Sequence, residues 1–259
     1  MRSIAVAAFV VASIALGGSP ARAWTPAAQT AIEDQAAALT PPDLAQLIWR
    51  HIDQFHRGAI DAYRDRDPMR HQGNADGTGV VARVVVEEAD RAVAMVRAHR
   101  GFADVVYQLG RVSHYTADAD NPLNASNTDP REGDYFADYL FYMDSARPRF
   151  QPVFYGIDRG FAMNGGVARL IDRSLRRSRD LYPLIGAEYQ RVGAVDGRAL
   201  FDDRSTAFAV AALSFSHALT DVAAVLRDVW IRSGGYDPRR DLVVAGPRLL
   251  LLPTPAAGR

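Results

Sequence analysis

The 259-residue chain contains no cysteine. This absence excludes disulfide bonds, thiolate metal ligands, cysteine nucleophiles and a lipid anchor attached to cysteine. Any metal ion must therefore be held by histidine, carboxylate or backbone groups. The chain also contains no lysine, so its 30 positive charges are all arginines, and 30 aspartates and glutamates balance them. This balance excludes a strongly basic nucleic-acid clamp, and the 48% hydrophobic content is typical of a globular protein.

The first 23 residues have the pattern of an export signal. Arg2 precedes an apolar run of secretory length, and a closing A-R-A sequence matches a cleavage site. The run is too short to span a bilayer stably. The sequence therefore predicts a secreted or periplasmic protein in which residues 1–23 are removed and Trp24 becomes the first residue. Residues 24–259 are expected to form one domain without an integral membrane segment.

Apolar residues recur at three- and four-residue spacing through most of the remaining chain. This period predicts an all-α, single-domain helical bundle. Polar, glycine-containing loops are expected at 61–79 and 121–133, and a short extended segment at 249–252. The predicted helices are 26–39, 42–58, 80–98, 101–120, 134–147, 158–180 and 203–233.

Two histidines are each followed by an aspartate four residues later: His114 by Asp118, and His217 by Asp221. This spacing puts both side chains of a pair on one helix face. A single pair of this kind usually does no more than stabilise its helix. Two pairs on separate helices with apolar faces favour a metal site inside the bundle, where such sites are common.

A third candidate histidine, His71, lies in the first polar loop. Asp61, Asp65 and Asp67 precede it and can contribute a carboxylate ligand. The alternative is a solvated loop histidine with no ligand role. The other three histidines are not expected to bind metal: His51, His56 and His99.

Familiar catalytic templates are absent. The chain has no H-E-x-x-H, no phosphate-binding G-x-x-x-x-G-K-[ST], no G-x-G-x-x-G before a helix and no G-x-S-x-G. A serine hydrolase built on Ser214 or Ser216 beside His217 is disfavoured, because close neighbours in one helix do not point at one another.

The order of motifs resembles a known family. The chain has Trp24 at the cleavage site, L-G-x-x-x-H-Y-x-x-D-x-x-x-P in its middle and H-x-x-x-D in a late helix. This arrangement is similar to the zinc-dependent phospholipase C and S1/P1 nuclease superfamily. The segment 24–58 also resembles the bacterial zinc-dependent phospholipase C-like branch. The resemblance implies a helical bundle of the phospholipase C and P1 nuclease type.

The resemblance further implies one to three zinc ions. The free amine and carbonyl of Trp24 would hold one ion once the signal is cleaved. Asp61 and Asp118 are assigned to catalysis, with Asp65 or Asp67 as alternatives to Asp61. The residues assigned as metal ligands are Trp24, Asp61, His71, His114, Asp118, His217 and Asp221.

Two positions depart from the family pattern. Gln29 and Asn124 stand where the family has histidines, and amides are weaker zinc ligands than imidazoles. The site at Trp24 and the site at His217 therefore each lack one ligand. The group that contains His71 keeps four candidate ligands.

By resemblance, the function is hydrolysis of a phosphodiester by a metal-bound hydroxide. The neutral charge favours a phospholipid over a nucleic acid as substrate, and a monomer is expected. An S1/P1-type nuclease is an alternative, in which aromatic residues at 135–142 would stack on bases. A weakened or inactive periplasmic binding or structural protein on the same fold is the other alternative.

Overall fold

The computed structural model describes residues 24–157, 161, 166–237 and 248–250. The predicted export signal lies outside these described residues. Within them the chain is almost entirely α-helical, which confirms the predicted fold class. The helices are α1 (Pro26–Leu39), α2 (Pro42–Arg50), α3 (Ile52–Tyr63), α4 (Val81–Arg97), α5 (Phe102–Ala119), α6 (Pro122–Ala125), α7 (Glu132–Ala146), α8 (Gly166–Val192) and α9 (Thr206–Arg232).

Short elements connect the longer helices. Strand β1 (Val153–Phe154) pairs antiparallel with β2 (Arg248–Leu249). The pair agrees with the extended tail predicted at 249–252, of which residues 251 and 252 lie outside the described residues. The described 3₁₀ helices are Pro68–Arg70, Arg147–Arg149 and Gly197–Leu200.

Side-chain caps mark the starts of two helices that the sequence predicts. The hydroxyl of Thr25 accepts a hydrogen bond from the backbone N–H of Ala28 at 3.1 Å and opens α1. The hydroxyl of Ser205 accepts one from the N–H of Phe208 at 3.2 Å and opens α9. Each hydroxyl satisfies an N–H that the first turn of a helix leaves without a partner.

One predicted helix is broken in two. The segment 42–58 was expected to be continuous, but His51 separates α2 from α3 with φ −123° and ψ 34°, outside the helical region. Another helix is longer than predicted. Helix α8 continues past residue 180 because Tyr182, Ile185 and Tyr189 extend its buried stripe at helical spacing. Part of the predicted start of this helix, at 158–165, lies outside the described residues.

Helices α3 and α5 approach each other closely at two glycines. A Cβ atom at Gly58 would lie 1.9 Å from the carbonyl oxygen of Tyr107, and one at Gly110 would lie 1.9 Å from that of Phe55. Only glycine permits this distance between backbones. The contact fixes α5 against α3 one turn before His114, so it positions the candidate site.

Helix α9 lies in the core. Its 27 residues contain a window of mean hydropathy 1.6, long and apolar enough to cross a membrane by length and composition, but 78% of that window is buried against the rest of the protein. Such burial is typical of a core helix. Helix α7 also contributes to the core, since Tyr135, Tyr139 and Tyr142 are buried, whereas Phe141 is 62% exposed. Three of the aromatics considered for base stacking therefore pack inside the protein.

Candidate metal centre

Helix α5 and the loop before α4 bring three of the predicted ligands together. Nδ1 of His71 lies 2.7 Å from Oδ2 of Asp118. Nε2 of His114 lies 3.2 Å from the same oxygen and 3.3 Å from Nδ1 of His71. All three residues are buried. Among the described residues, this is the one group of three or more histidines and acids whose ligand atoms lie within 4.8 Å of one another.

The backbone around His71 is held at several points. The carboxylate of Asp67 caps the short 3₁₀ helix before it by accepting from the N–H of Met69 at 3.0 Å. Nη2 of Arg179, on α8, donates to the carbonyl of Gly73 at 2.6 Å. Nε of the same guanidinium donates to the carbonyl of Ala125 at 3.2 Å. One arginine therefore joins the His71 loop to the segment that follows α5.

The charges of the group stabilise one another. Burial opposes ionisation of Asp118, but the neighbouring imidazoles of His114 and His71 outweigh burial and hold its pKa well below the usual range. Burial likewise lowers the pKa of His71, but the hydrogen bond and charge of Asp118 outweigh it and raise this pKa overall. The carboxylate is thus ionised at neutral pH, the form that can bind a metal.

The donor set and its spacing fit a zinc ion. Tetrahedral zinc with bonds of about 2.1 Å separates its ligand atoms by roughly 3.4 Å. Two of the three separations in the group are within 0.2 Å of this value, at 3.2 Å and 3.3 Å, and the third, at 2.7 Å, needs a modest widening. Two imidazoles and one carboxylate are ligands that zinc commonly takes.

Asp61, the predicted fourth ligand, lies apart from this group. Its Oδ2 accepts a hydrogen bond from the hydroxyl of Tyr107 at 3.0 Å, and its side chain is 39% exposed. Its role stays a prediction. Asp65 and Asp67 are the alternatives to Asp61. The backbone carbonyl and the charge of Asp65 contribute to the raised pKa of His71, whereas Asp67 caps the preceding 3₁₀ helix. The Asp65 carboxylate accepts from the hydroxyl of Tyr115 at 2.9 Å.

The second predicted pair has a different set of partners. Nη2 of Arg177 donates to Asp120 at 3.0 Å and also donates to Asp221. Asp221 accepts a further hydrogen bond from the hydroxyl of Ser174 at 2.5 Å. His217 instead stacks on Tyr155, with ring centroids 4.5 Å apart. The arginine already supplies a positive charge to Asp221, so this arrangement does not support a metal ion there.

Trp24 and Gln29 also lie in the core. The indole N–H of Trp24 donates to the carbonyl of Ala117 at 2.9 Å, one residue before Asp118. Gln29 donates through Nε2 to Oε1 of Glu33 at 2.6 Å. The predicted ligand role of the Trp24 amine depends on cleavage of the signal, which lies outside the described residues, and it stays a prediction.

Asn124, the second departure from the family pattern, is fully buried. Its Nδ2 donates to the carbonyl of Asp118 at 3.4 Å, while its Oδ1 has no hydrogen-bond partner among the described residues. The amide therefore lies beside the ligand group without completing a second histidine-rich site.

Sequence reasoning missed Glu33, Arg177 and Asp120. Glu33 had a detectable signal, because it shares the buried stripe of α1 with Gln29 and Ile32. A charged residue on an apolar face is unusual enough to examine. The pairing of Arg177 with acids on α9 and at the end of α5 had no local signal, because it depends on how three helices pack.

No family model and no curated protein matches this chain. Solved structures do match. The alpha-toxin of Clostridium absonum aligns with a TM-score of 0.62 and 11% identity over 83% of this chain and 67% of the toxin chain. The alpha-toxin of an avian strain of Clostridium perfringens aligns with a TM-score of 0.56 and 13% identity, over 84% of this chain and 66% of the toxin. The chain thus spans about two thirds of the toxins' length, and the likeness supports the all-α fold that the sequence resemblance implied.

Proposed function

We propose that this chain is an exported, zinc-dependent phosphodiesterase of the phospholipase C type, with His71, His114 and Asp118 as its metal ligands. The observation that carries this proposal is the convergence of two imidazole nitrogens and one carboxylate oxygen, separated by 2.7–3.3 Å, in a buried position. The fold shared with the alpha-toxins and the sequence resemblance to zinc-dependent phospholipases C both support it.

Residues of the chain would hold the zinc ion and keep the imidazole ligands in place. A bound zinc ion would supply positive charge for the phosphate oxygens and lower the pKa of a bound water molecule. Asp118 stays ionised through its contacts with both histidines. The ring of Tyr115 packs 5.2 Å from that of His71 and 5.4 Å from that of His114, and the ring of Tyr63 packs 6.0 Å from His114. These rings limit imidazole rotation and exclude water from one side of the site.

A phospholipid is the favoured substrate class. The chain has equal numbers of basic and acidic residues and therefore no excess charge to attract a polyanion. The buried position of Tyr135, Tyr139 and Tyr142 also removes most of the aromatic surface on which nucleotide bases would stack. We further propose a monomer, exported by the signal at 1–23, with Trp24 at its mature start.

The test measures metal content and hydrolysis together. Purified protein is analysed for zinc by plasma mass spectrometry. It is then assayed on phosphatidylcholine vesicles, single-stranded DNA and bis(p-nitrophenyl) phosphate. We expect at least one zinc ion per chain, and faster hydrolysis of the vesicles than of DNA. Faster cleavage of DNA would favour the nuclease alternative.

The matched variants are Asp118→Asn in the centre and His56→Gln outside it. His56 forms another histidine–aspartate contact, with Asp34 at 2.8 Å, far less buried than the candidate ligands. Asp118→Asn should remove both zinc and hydrolysis, and His56→Gln should retain both. A zinc-free, inactive wild-type protein would instead support the inert periplasmic scaffold.

A further inference from the structure

One buried acid joins α4 to both elements that carry the candidate metal ligands. Glu88, on α4, is 1% exposed. Its Oε1 accepts hydrogen bonds from Nη2 of Arg70 at 3.2 Å and from Nη2 of Arg111 at 3.0 Å. Its Oε2 accepts one from Nε2 of Gln108 at 2.6 Å. Gln108 and Arg111 lie on α5, and Arg70 directly precedes His71 in the chain, so Glu88 connects the helix and the loop that form the centre.

Glu88 carries a negative charge in this position. Burial opposes its ionisation, but the hydrogen bonds from Arg111 and Gln108 outweigh burial and lower its pKa below the usual range. The carboxylate therefore neutralises part of the charge of two guanidinium groups. A buried polar network in which the members satisfy one another holds its side chains in one arrangement.

The two guanidinium groups lie against the ring of Tyr115. Cζ of Arg70 is 5.4 Å and Cζ of Arg111 is 5.9 Å from the centroid of that ring, within the range of a cation–π contact. The hydroxyl of Tyr115 donates to Oδ2 of Asp65 at 2.9 Å, and Nε of Arg70 lies 2.7 Å from the same oxygen. The ring and the hydroxyl of this buried tyrosine are thus both held by the network around Glu88.

Tyr115 in turn contacts two of the candidate metal ligands. Its ring centroid lies 5.2 Å from that of His71 and 5.4 Å from that of His114. Asp118 contacts one nitrogen of each imidazole. Each imidazole therefore has a carboxylate at a nitrogen and Tyr115 against its ring, and the second contact depends on the groups that Glu88 holds.

We propose that Glu88 is a positioning residue of the candidate centre, which holds Tyr115 against His71 and His114 through Arg70 and Arg111. The orientation of the two imidazoles is then set before a metal ion binds. This inference rests on the proposed function only for the identity of the metal ligands. Without the charge of Glu88, the two guanidinium groups beside one ring would repel each other, and Tyr115 would lose its fixed position.

The first experiment requires no metal. The full chain is labelled with ¹³C in its histidine rings, and the Cε1–H signals are assigned with His71→Gln and His114→Gln variants. Glu88→Gln keeps the side-chain volume and removes the charge. We expect it to shift or broaden the signals of His71 and His114, because a displaced Tyr115 ring changes the magnetic field at both. The signal of His99, which is exposed, should stay unchanged.

The second experiment measures metal affinity. Zinc binding is followed by competition with a chromophoric chelator, and Co²⁺ is used as a spectroscopic probe of ligand geometry. We expect Glu88→Gln to weaken zinc binding at least tenfold, since residues that orient metal ligands typically change affinity by about 10–100-fold when mutated. The visible absorption of the Co²⁺-loaded variant should also differ from that of the wild type.

The matched control is Glu188→Gln, which affects another buried ion pair. Glu188 is 4% exposed and contacts Arg191 on its own helix at 2.9 Å. Helix α8 meets the end of α5 where the hydroxyl of Ser178 donates to the carbonyl of Ala119 at 2.9 Å, and Glu188 lies about 15 Å farther along α8. Glu188→Gln should leave the histidine signals, the zinc affinity and the Co²⁺ spectrum unchanged.

A second variant tests the same network with a smaller change of charge. Arg70→Lys retains the positive charge, but an ammonium group lacks the planar fork with which Arg70 contacts Asp65 and Glu88 together. Glu88 keeps Arg111 in this variant, so no buried acid is left without a cation. We expect the same two histidine signals to change and zinc affinity to fall. Circular dichroism shows whether each variant folds.

The outcomes separate this inference from the proposed function. Unchanged signals of His71 and His114 in a folded Glu88→Gln or Arg70→Lys variant would overturn the inference, as would an equal loss of zinc affinity in Glu188→Gln. A wild type that binds no zinc, but whose histidine signals respond to Glu88→Gln, would sustain the inference while the proposed function fails.

Discussion

Nη2 of Arg177 donates a hydrogen bond to Oδ2 of Asp221, the carboxylate that the sequence assigned to a metal ion. The same nitrogen reaches Asp120 at the end of α5. Burial raises the pKa of Asp120 well above its usual range, the neighbouring Asp221 raises it further, and Arg177 opposes both. The chain therefore supplies its own cation to two buried acids.

The first prediction concerns this arginine. Arg177→Met keeps most of the aliphatic stem and leaves both acids without a cation. Removing one partner of a buried ion pair costs about 3–5 kcal/mol, and the partial exposure of Arg177 reduces this. We expect the free energy of unfolding, measured by urea denaturation, to fall by about 2–3 kcal/mol. The control is Arg176→Met, which replaces an exposed neighbour and should change the free energy of unfolding by less than about 0.5 kcal/mol. Equal free energies of unfolding for the two variants would contradict the prediction.

The second prediction concerns pH. Burial, reinforced by the charge of Arg177, lowers the pKa of His217 to about 4. In the unfolded chain a histidine titrates near 6.5. Between these values the unfolded state binds more protons, so the stability that neutral His217 contributes is lost as pH falls through this window. The loss should be on the order of 2 kcal/mol after solvent screening.

The control for this prediction is His217→Phe, which preserves the stack on Tyr155. Urea denaturation from pH 7.5 to 4.5 should give a shallower loss of stability for the variant than for the wild type. Parallel curves would contradict the prediction, because they would show that His217 binds a proton as readily in the folded state as in the unfolded state.

The bounds of two helices could be predicted from the sequence. Helices α5 and α9 were predicted to within three residues, because their apolar period is strong and their ends carry clear signals. The pair His114 and Asp118 shares one helix, so its proximity followed from spacing alone. The loop position of His71 left a ligand role and a solvated histidine as alternatives, and only the family resemblance assigned it to the group.

The partners of Asp120 and Asp221 could not be predicted in the same way. Both carboxylates accept hydrogen bonds from Arg177 on α8, so they depend on contacts between helices distant in sequence, which periodicity does not encode. Asp118 and Asp221 each follow a histidine by four residues. Asp221 nevertheless contacts an arginine, whereas Asp118 contacts two imidazoles. Spacing therefore identifies residues on one face, while packing decides what that face meets.

The third prediction compares two of the three candidate loop acids, Asp61 and Asp65. Asp65 contacts Tyr115 and contributes to the raised pKa of His71, whereas Asp61 contacts Tyr107. Residues that orient metal ligands typically change metal affinity by about 10–100-fold when mutated. We expect Asp65→Asn to weaken zinc binding at least tenfold and Asp61→Asn to weaken it less, in competition titrations with a chromophoric chelator. The reverse order would assign the ligand role to Asp61.

The last prediction concerns the close contact between α3 and α5. Gly110→Ala would place a methyl group 1.9 Å from the carbonyl oxygen of Phe55, so the helices must separate. Overpacking of this kind costs about 1–3 kcal/mol, seen as a lower midpoint in urea. Gly133→Ala is the matched control, since a Cβ there meets nothing within 4 Å.

The Gly110 contact also affects the candidate centre. His114 follows Gly110 by one helical turn, and its imidazole must meet His71, which lies outside α5. Displacement of α5 should therefore weaken zinc binding as well as stability, whereas Gly133→Ala should leave zinc affinity unchanged. A Gly110→Ala protein that is destabilised but binds zinc normally would show that the His71 loop follows α5 when the helix moves.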